Sequence, residues 1–330
     1  MQFEDGHAVK AVSSLRRPSI EWAAVSALIA IVAVVAISAF AVGTDKLADS
    51  LRKFDTATIG LCLVLAAWQV GCRFLRWLIF IRRLALKIPV HEAALYYAAA
   101  FGMTLTPGRL GELIRLWFLE KRLRVPYRRL AGLYVADRAG DALAYILLLA
   151  LGFAGYRGGS PISWAIFAIA SLAVFAIIRP QPTLAVLTAI YSIVRKGRTF
   201  VAQMRRIVRN TSTLFQPDVF LPAVAVGAMG WFAAPLLLKL CLARLGISFD
   251  FLHATAIYAT AALTGGSTML PGGGGATEAV LVVLLRASNV PLEDAVAAMI
   301  MTRLAFLWLP VGVGILVLPT AMKSVRATRE

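Results

Sequence analysis

Three stretches of this chain run uncharged for the length of a membrane: Trp22 to Val42 (21 residues), Pro161 to Ile178 (18) and Val219 to Leu238 (20). Nothing else in the sequence constrains folding as strongly. A helix rises about 1.5 Å per residue, so roughly 20 residues cross a hydrocarbon core about 30 Å thick. Thr56 to Ile81 and Ala295 to Pro319 are long enough too, although each contains arginine, and a further span over roughly Leu130 to Tyr156 begins polar and ends apolar. With 60% hydrophobic residues and a mean hydropathy of +0.78, the chain reads as an all-α integral membrane protein. Trp22 to Val42 is too long for the apolar core of a signal peptide, and Gly43-Thr44-Asp45 lacks a small-x-small cleavage pattern.

The net charge of +17 raises the question of nucleic acid. Sorting the charge by membrane side answers it. With the N-terminus inside, segments 1–19, 82–90, 107–130, 179–216 and 320–330 face the cytoplasm and carry 23 Lys and Arg. Segments 43–56, 155–161, 243–251 and 286–294 face the other side and carry 6. The positive-inside rule and attraction to anionic lipid account for the excess without nucleic acid. The expected layout is a cytoplasmic segment 1–19, a transmembrane domain 20–320 and a cytoplasmic tail 321–330, in the cytoplasmic (inner) membrane. Cys62, Cys72 and Cys241 read as apolar filler with no metal-ligand spacing, and no cofactor is expected.

Two breaks interrupt this pattern. His91 to Thr106 is sixteen residues, about 24 Å of helix, and ends at Pro107-Gly108. A full crossing there would put Arg109, Arg115, Lys121, Arg122 and Arg124 outside. A re-entrant hairpin that returns through Leu113 to Leu119 keeps them inside. LPGGGGATE, Leu270 to Glu278, looks like the same device used again. Trp68 matches Trp231, Arg83-Leu84 matches Arg244-Leu245, His91 matches His253 and Tyr97 matches Tyr258. Pro107-Gly108 matches Pro271-Gly272, Gly111 matches Gly275, Glu112 comes near Glu278, Pro126 matches Pro291 and Arg138 matches Arg303. Every offset lies between 161 and 166. The predicted repeat units are about 57–156 and 219–319, with one crossing between them, so they are inverted. The expected architecture is six full spans plus two opposed re-entrant hairpins. Such inverted repeats with broken helices carry the substrate site of many secondary transporters where the breaks meet.

The motifs PGRLGELIR (Pro107 to Arg115), DRAGD (Asp137 to Asp141), PGGGGATE (Pro271 to Glu278) and RFLRW (Arg73 to Trp77) resemble those of a known family. It is the transmembrane, flippase-like region of lysylphosphatidylglycerol synthases and their stand-alone relatives. The resemblance covers about residues 20–320. In the full-length synthases this region moves aminoacylated phosphatidylglycerol between leaflets, and a soluble C-terminal domain makes that lipid. The resemblance therefore implies the flippase-like part alone, as a stand-alone member without the synthase domain.

The candidate substrate-binding residues are Arg109, Glu112, Arg115, Arg138, Asp141, Gly272, Gly273, Gly274, Gly275, Glu278 and Arg303. Intramembrane charge is costly and marks function by default. Arg303 has no carboxylate in its own span and reads as a ligand for an anionic headgroup. Arg138 has Asp141 at i+3 and Asp137 adjacent but not facing, so a headgroup ligand and a structural Arg138–Asp141 pair both remain open. Glu112 and Glu278 follow the breaks in the first turns of returning half-helices, where the dipole favours a carboxylate. They could instead hold a cationic headgroup or a proton. Arg109 and Arg115 flank Glu112. Gly272 to Gly275 leave N–H groups free for a phosphate, yet no Lys-Ser/Thr follows them as a Walker loop requires. Arg73 and Arg76 read as snorkelling to the cytoplasmic interface. His91 and His253 suit caps or interfaces. Asp137/Asp141 could hold a divalent cation, but a lone pair assigns no metal. Thr183 to Phe215, within a connector of about 180–216, reads as an amphipathic helix on the inner leaflet. The function expected is movement of a phospholipid or lipid-linked molecule, with an anionic or zwitterionic headgroup, between leaflets. The alternatives are an integral-membrane transferase and a non-transporting partner of a membrane enzyme. No catalytic set is found, so no enzyme activity is expected. A homo-oligomer or association with a lipid-synthesising enzyme is compatible with this reading.

Overall fold

The computed structural model describes residues 42–106, 111–154, 213–268 and 275–327, with positions 29, 33, 36 and 40 before them. Among these residues every regular element is helical. In chain order they are α1 (Thr44–Arg52), α2 (Thr56–Arg83), α3 (Val90–Phe101), α4 (Ile114–Leu123), α5 (Tyr127–Ala154), α6 (Pro217–Trp231), α7 (Ala233–Arg244), α8 (Phe251–Ser267), α9 (Ala276–Ala287), α10 (Leu292–Arg303), a π-helical turn (Leu304–Trp308) and α11 (Leu309–Ala327). Three rods are long and apolar enough to cross a membrane: Thr56–Arg83, Pro217–Arg244 and Leu292–Val325. They contain three of the expected spans. The fourth, α5, has the length at 28 residues but carries the charged motif Asp137 to Asp141 near its middle. Pro161 to Ile178 and the connector 180–216, apart from its last residues, lie outside the described residues.

Local chemistry sets the breaks. Pro235 has no N–H to give the carbonyl of Trp231, and α6 yields to α7 there. Pro310 likewise cannot bond back to Phe306, and the chain takes a π-turn over Leu304–Trp308, immediately after Arg303. Asp55 caps α2 by accepting bonds from the Thr58 N–H (2.8 Å) and hydroxyl (2.6 Å), which hold its carboxyl below the usual range. Asp250 caps α8 through the His253 N–H at 3.0 Å.

Both broken regions are antiparallel helix pairs. Near the open end of the first, Arg122 of α4 grips Glu92 of α3 at 2.8 and 3.0 Å, and Tyr96 stacks on Phe118 with centroids 5.0 Å apart. In the second, the His253 ring at the start of α8 lies 3.2 Å from the Ser288 hydroxyl just after α9. At the far end Gly265 of α8 touches Thr277 of α9. At twelve residues, α3 is only about 18 Å long, too short to span.

The element boundaries recur at the offsets of the sequence matches. Thr56–Arg83 and Pro217–Arg244 are both 28 residues, 161 apart. Helices α3 and α8 begin 161 apart, and α5 and α10 begin 165 apart. The left-handed residues that end helices recur too: Ala85 (φ 53°) with Gly246 (φ 85°), and Arg124 (φ 54°) with Asn289 (φ 63°). The Leu86 N–H bonds to the Ile81 carbonyl as the Ile247 N–H bonds to that of Leu242, at 3.3 and 2.9 Å, each with the 6→1 geometry of a Schellman end. A Cβ in this conformation costs about 1–2 kcal/mol. Ala85→Gly should therefore stabilise the purified protein by up to about 1 kcal/mol and Gly246→Ala should destabilise it by a similar amount, read as opposite shifts in melting midpoint.

Two large apolar cores form among the described residues. One joins α7, α8, α9 and α10 to the N-terminal part of α2 (Cys62, Ala66). The other joins α3, α4, α6 and the ends of α5 and α11 to the C-terminal part of α2 (Trp77 to Ile81). Across the halves, α3 packs on α11 and α8 packs on α5. Each crossing is made close by a glycine, Gly314 against Ala98–Gly102 and Gly152 against Ala256, and these glycines are 162 apart.

Candidate functional site

Arg73 and Arg76 lie on α2 between the segments that feed the two cores. They do not snorkel: Arg73 is 2% and Arg76 0% exposed. Asp137 and Asp141 of α5 explain why, together with Arg115 of α4 and Trp231 of α6. Asp137 receives the Arg76 Nε and Nη2 on Oδ1, at 3.0 and 2.5 Å, and the Arg115 Nη2 on Oδ2, at 2.6 Å. Asp141 receives the Arg76 Nη2 (2.7 Å) and the Trp231 indole N–H (2.9 Å) on Oδ1, and the Arg73 Nη2 (3.4 Å) on Oδ2. Carboxylates four apart on one helix face thus clamp arginines from two other helices, and the guanidiniums fill the space a divalent cation would need.

Room for this charge comes from small residues. A Cβ on Gly140 of α5 would meet the Arg76 Nη1 at 3.3 Å, and one on Gly227 of α6 would meet it at 2.7 Å. Aromatic rings wall the remainder. The Arg73 guanidinium sits over Trp231 and Phe101, with centroids 4.9 and 5.5 Å away, and that of Arg115 over Tyr97, Trp77 and Tyr134 at 5.5 to 5.9 Å. Such contacts strengthen when the cation is desolvated.

Arg138 is the most open member, with 23% of its side chain exposed. Its Nη2 is 2.9 Å from Asp137 Oδ2, 3.2 Å from Asp141 Oδ2 and 3.2 Å from Glu112 Oε2. The Arg138–Asp141 contact, one of the two readings left open by the sequence, is present, and Asp137, read as not facing Arg138, joins it. Glu112 stands in the 3₁₀ turn before α4, and the Thr104 hydroxyl donates to it at 3.3 Å. Among the described residues, four arginines (Arg73, Arg76, Arg115, Arg138) and three carboxylates (Glu112, Asp137, Asp141) gather here, an excess of one positive charge.

The second hairpin carries a smaller arrangement. Glu278, in the first turn of α9, places Oε1 2.7 Å from the Nε of Arg303, the last residue of α10. Arg303 is therefore not a lone cation. Its partner comes from the neighbouring helix, which its own span could not reveal. Gly275 at φ +81° lets the chain turn into α9. Arg109 and Gly272 to Gly274 lie outside the described residues. The His253 ring stacks on Phe249, with centroids 4.8 Å apart, besides meeting Ser288. Sequence reasoning missed Asp137, Arg73, Arg76 and Trp231 as site residues. The signal was present in RFLRW and DRAGD, both charged inside otherwise apolar helices.

The comparisons with known proteins bear on the same region. Residues 24–314 match the family model described as "Lysylphosphatidylglycerol synthase TM region". The chain is 24% identical over 313 residues to a UPF0104 membrane protein of Methanothermobacter thermautotrophicus, covering 86% of this chain and 91% of the relative. It is 32% identical over 91 residues to a phosphatidylglycerol lysyltransferase of Staphylococcus xylosus, a match to 28% of this chain and 11% of that much longer protein. With a family match running through both hairpins and both charged sites, the chain belongs to the lysylphosphatidylglycerol synthase transmembrane-region family.

Proposed function

We propose that the protein moves a phospholipid or lipid-linked molecule between membrane leaflets, its headgroup passing the charged site while the tails stay in lipid. One observation carries the reading: a net-positive cluster of buried arginines and carboxylates at the turn of a helical hairpin too short to span. An arginine at the centre of a membrane helix costs about 2.5–3.5 kcal/mol on insertion scales. Buried ion pairs can often be replaced by apolar residues with no loss, or a gain, of stability. A cluster of this size is therefore poorly explained by folding alone. An unbalanced guanidinium beside carboxylates suits a phosphate, which Arg binds with a planar fork.

The recurrence of helix lengths, left-handed caps and glycine crossings supports an inverted repeat, with both hairpins re-entrant from opposite sides. Both termini would then be cytoplasmic. No observation favours a transferase or a non-transporting partner over this reading.

The test is reconstitution in proteoliposomes with a panel of headgroup-labelled phospholipids and a leaflet-accessibility assay. The wild-type protein should transfer at least one of them. Arg138→Met should slow transfer tenfold or more, and Arg138→Lys should rescue only part, because a point charge does not reproduce the fork. Failure to transfer any lipid in the panel would remove the reading. In a chain lacking Cys62, Cys72 and Cys241, cysteines at Lys121 and Arg286 should label from opposite sides of the membrane. Labelling from one side would refute the opposed hairpins.

A further inference from the structure

The two charged sites are alike in one respect only. Glu112 and Glu278, 166 apart, each stand at the start of a returning half-helix. Arg138 and Arg303, 165 apart, each come from the helix that follows. The two pairs close at 3.2 and 2.7 Å. Every other charge of the first cluster is missing from the second. At the offset that aligns the two 28-residue rods, Arg73 and Arg76 correspond to Ala234 and Leu237. At the hairpin offsets, Arg115 corresponds to Leu281, Asp137 to Thr302 and Asp141 to Phe306. Ala234, Leu237, Leu281 and Phe306 are all buried in the apolar core of the second half.

This contrast separates two kinds of charge. Groups present in one half only, Arg73, Arg76, Arg115, Asp137 and Asp141, are matched by uncharged residues in the other, four of them apolar and the fifth, Thr302, a buried threonine. The same helical framework therefore stands without them. The Glu–Arg pair is what both halves keep. The second half keeps it beside an apolar core, where uncharged residues fill the other corresponding positions.

Resting on the transport reading above, we propose that Glu278–Arg303 is a second anion station equivalent to Glu112–Arg138, at which the phosphoryl group of a lipid headgroup displaces the carboxylate from the guanidinium. In each station the arginine is the ligand and the glutamate its resident competitor. The carboxylate keeps the arginine compensated while the station is empty, and the incoming oxyanion takes over the same charge-assisted contact. Opposed hairpins would offer one station to each leaflet, so a headgroup leaves one as it reaches the other.

A competitor and a structural partner respond oppositely to neutralisation. Purified full-length protein in detergent is titrated with dihexanoylphosphatidylglycerol and, separately, with inorganic phosphate, reading Kd by calorimetry and the melting midpoint in parallel. Glu278→Gln should tighten binding of the short-chain lipid about tenfold, equivalent to about 1.4 kcal/mol, and Glu112→Gln should act in the same direction. The double variant Glu278→Gln/Arg303→Met should lose that gain while melting no lower than Glu278→Gln. It carries no stranded charge, so it keeps the test valid if the single variant folds poorly. Tightening for the lipid alone identifies the headgroup as the source, and tightening for both probes identifies the phosphoryl group itself. A Kd in Glu278→Gln that is unchanged within twofold or weaker, with a lower melting midpoint, overturns the station and makes the pair structural. Lipid transfer by the wild type alongside that result would leave the transport reading standing. Tightened binding without transfer of any lipid would do the reverse.

Discussion

Asparagine at position 137 should cost the protein about 3–5 kcal/mol of stability, the usual penalty for breaking one side of a buried ion pair. Asp137 is fully buried and holds Arg76, Arg115 and Arg138 within 3.0 Å. Neutralising it leaves four guanidiniums against Glu112 and Asp141, raising the excess from one positive charge to two in a medium that cannot solvate it. The measurement is the melting midpoint of the purified variant in detergent. Arg115→Met added to Asp137→Asn should recover much of the loss, since Arg115 Nη2 reaches into the cluster through Asp137 and removing both restores the original balance. As a control, Glu120→Gln breaks a partly exposed contact with Lys121 at 3.7 Å and should change stability by less than about 1 kcal/mol. A melting midpoint for Asp137→Asn equal to the control would mean that water or mobile side chains compensate the arginines, and the buried-network account would fail.

A single methyl group at Gly314 should have the next largest effect. Its Cβ would press on the Gly102 N–H and stand 2.8 Å from the Ala98 carbonyl oxygen and the Phe101 carbonyl carbon, all backbone atoms of the α3 end. No rotamer change relieves a backbone contact, so α3 and α11 must separate. Overpacking costs about 1–3 kcal/mol and occasionally more, against the roughly 1 kcal/mol that alanine gains over glycine within a helix. Gly314→Ala should therefore destabilise. Gly312→Ala, on the same helix with nothing within 4 Å of its Cβ, should be neutral or stabilising. Opposite shifts in melting midpoint would show that Gly314 marks a packed crossing. Equal shifts would reduce both glycines to a matter of helix propensity.

Much of the architecture was legible along the chain. Apolar runs of spanning length predict membrane helices because hydrocarbon leaves the backbone no partner but itself. Proline and glycine announce where those helices stop: α3 ends at Phe101, six residues before Pro107, and α9 starts directly after the glycines. The offset matches foretold the paired helix ends, because a left-handed cap and a proline start are local features written in adjacent residues.

The site was legible only in part. Arg138, Glu112 and Glu278 stood out because charge at membrane depth needs a reason. Arg73 and Arg76 were misread because snorkelling and burial look the same from one helix: both put arginines near an apolar helix end followed by further basic residues. Which occurs depends on whether another helix brings a carboxylate within about 3 Å, and Asp137 lies 61 residues from Arg76. The same holds for Arg303, whose partner is 25 residues away across a turn. Sequence periodicity by itself determined the described helices, their breaks and the charges set within apolar stretches. Only the tertiary structure decided which charges neutralise one another, because ion pairing depends on distances between side chains of different helices and hydrophobic patterning leaves those distances unspecified.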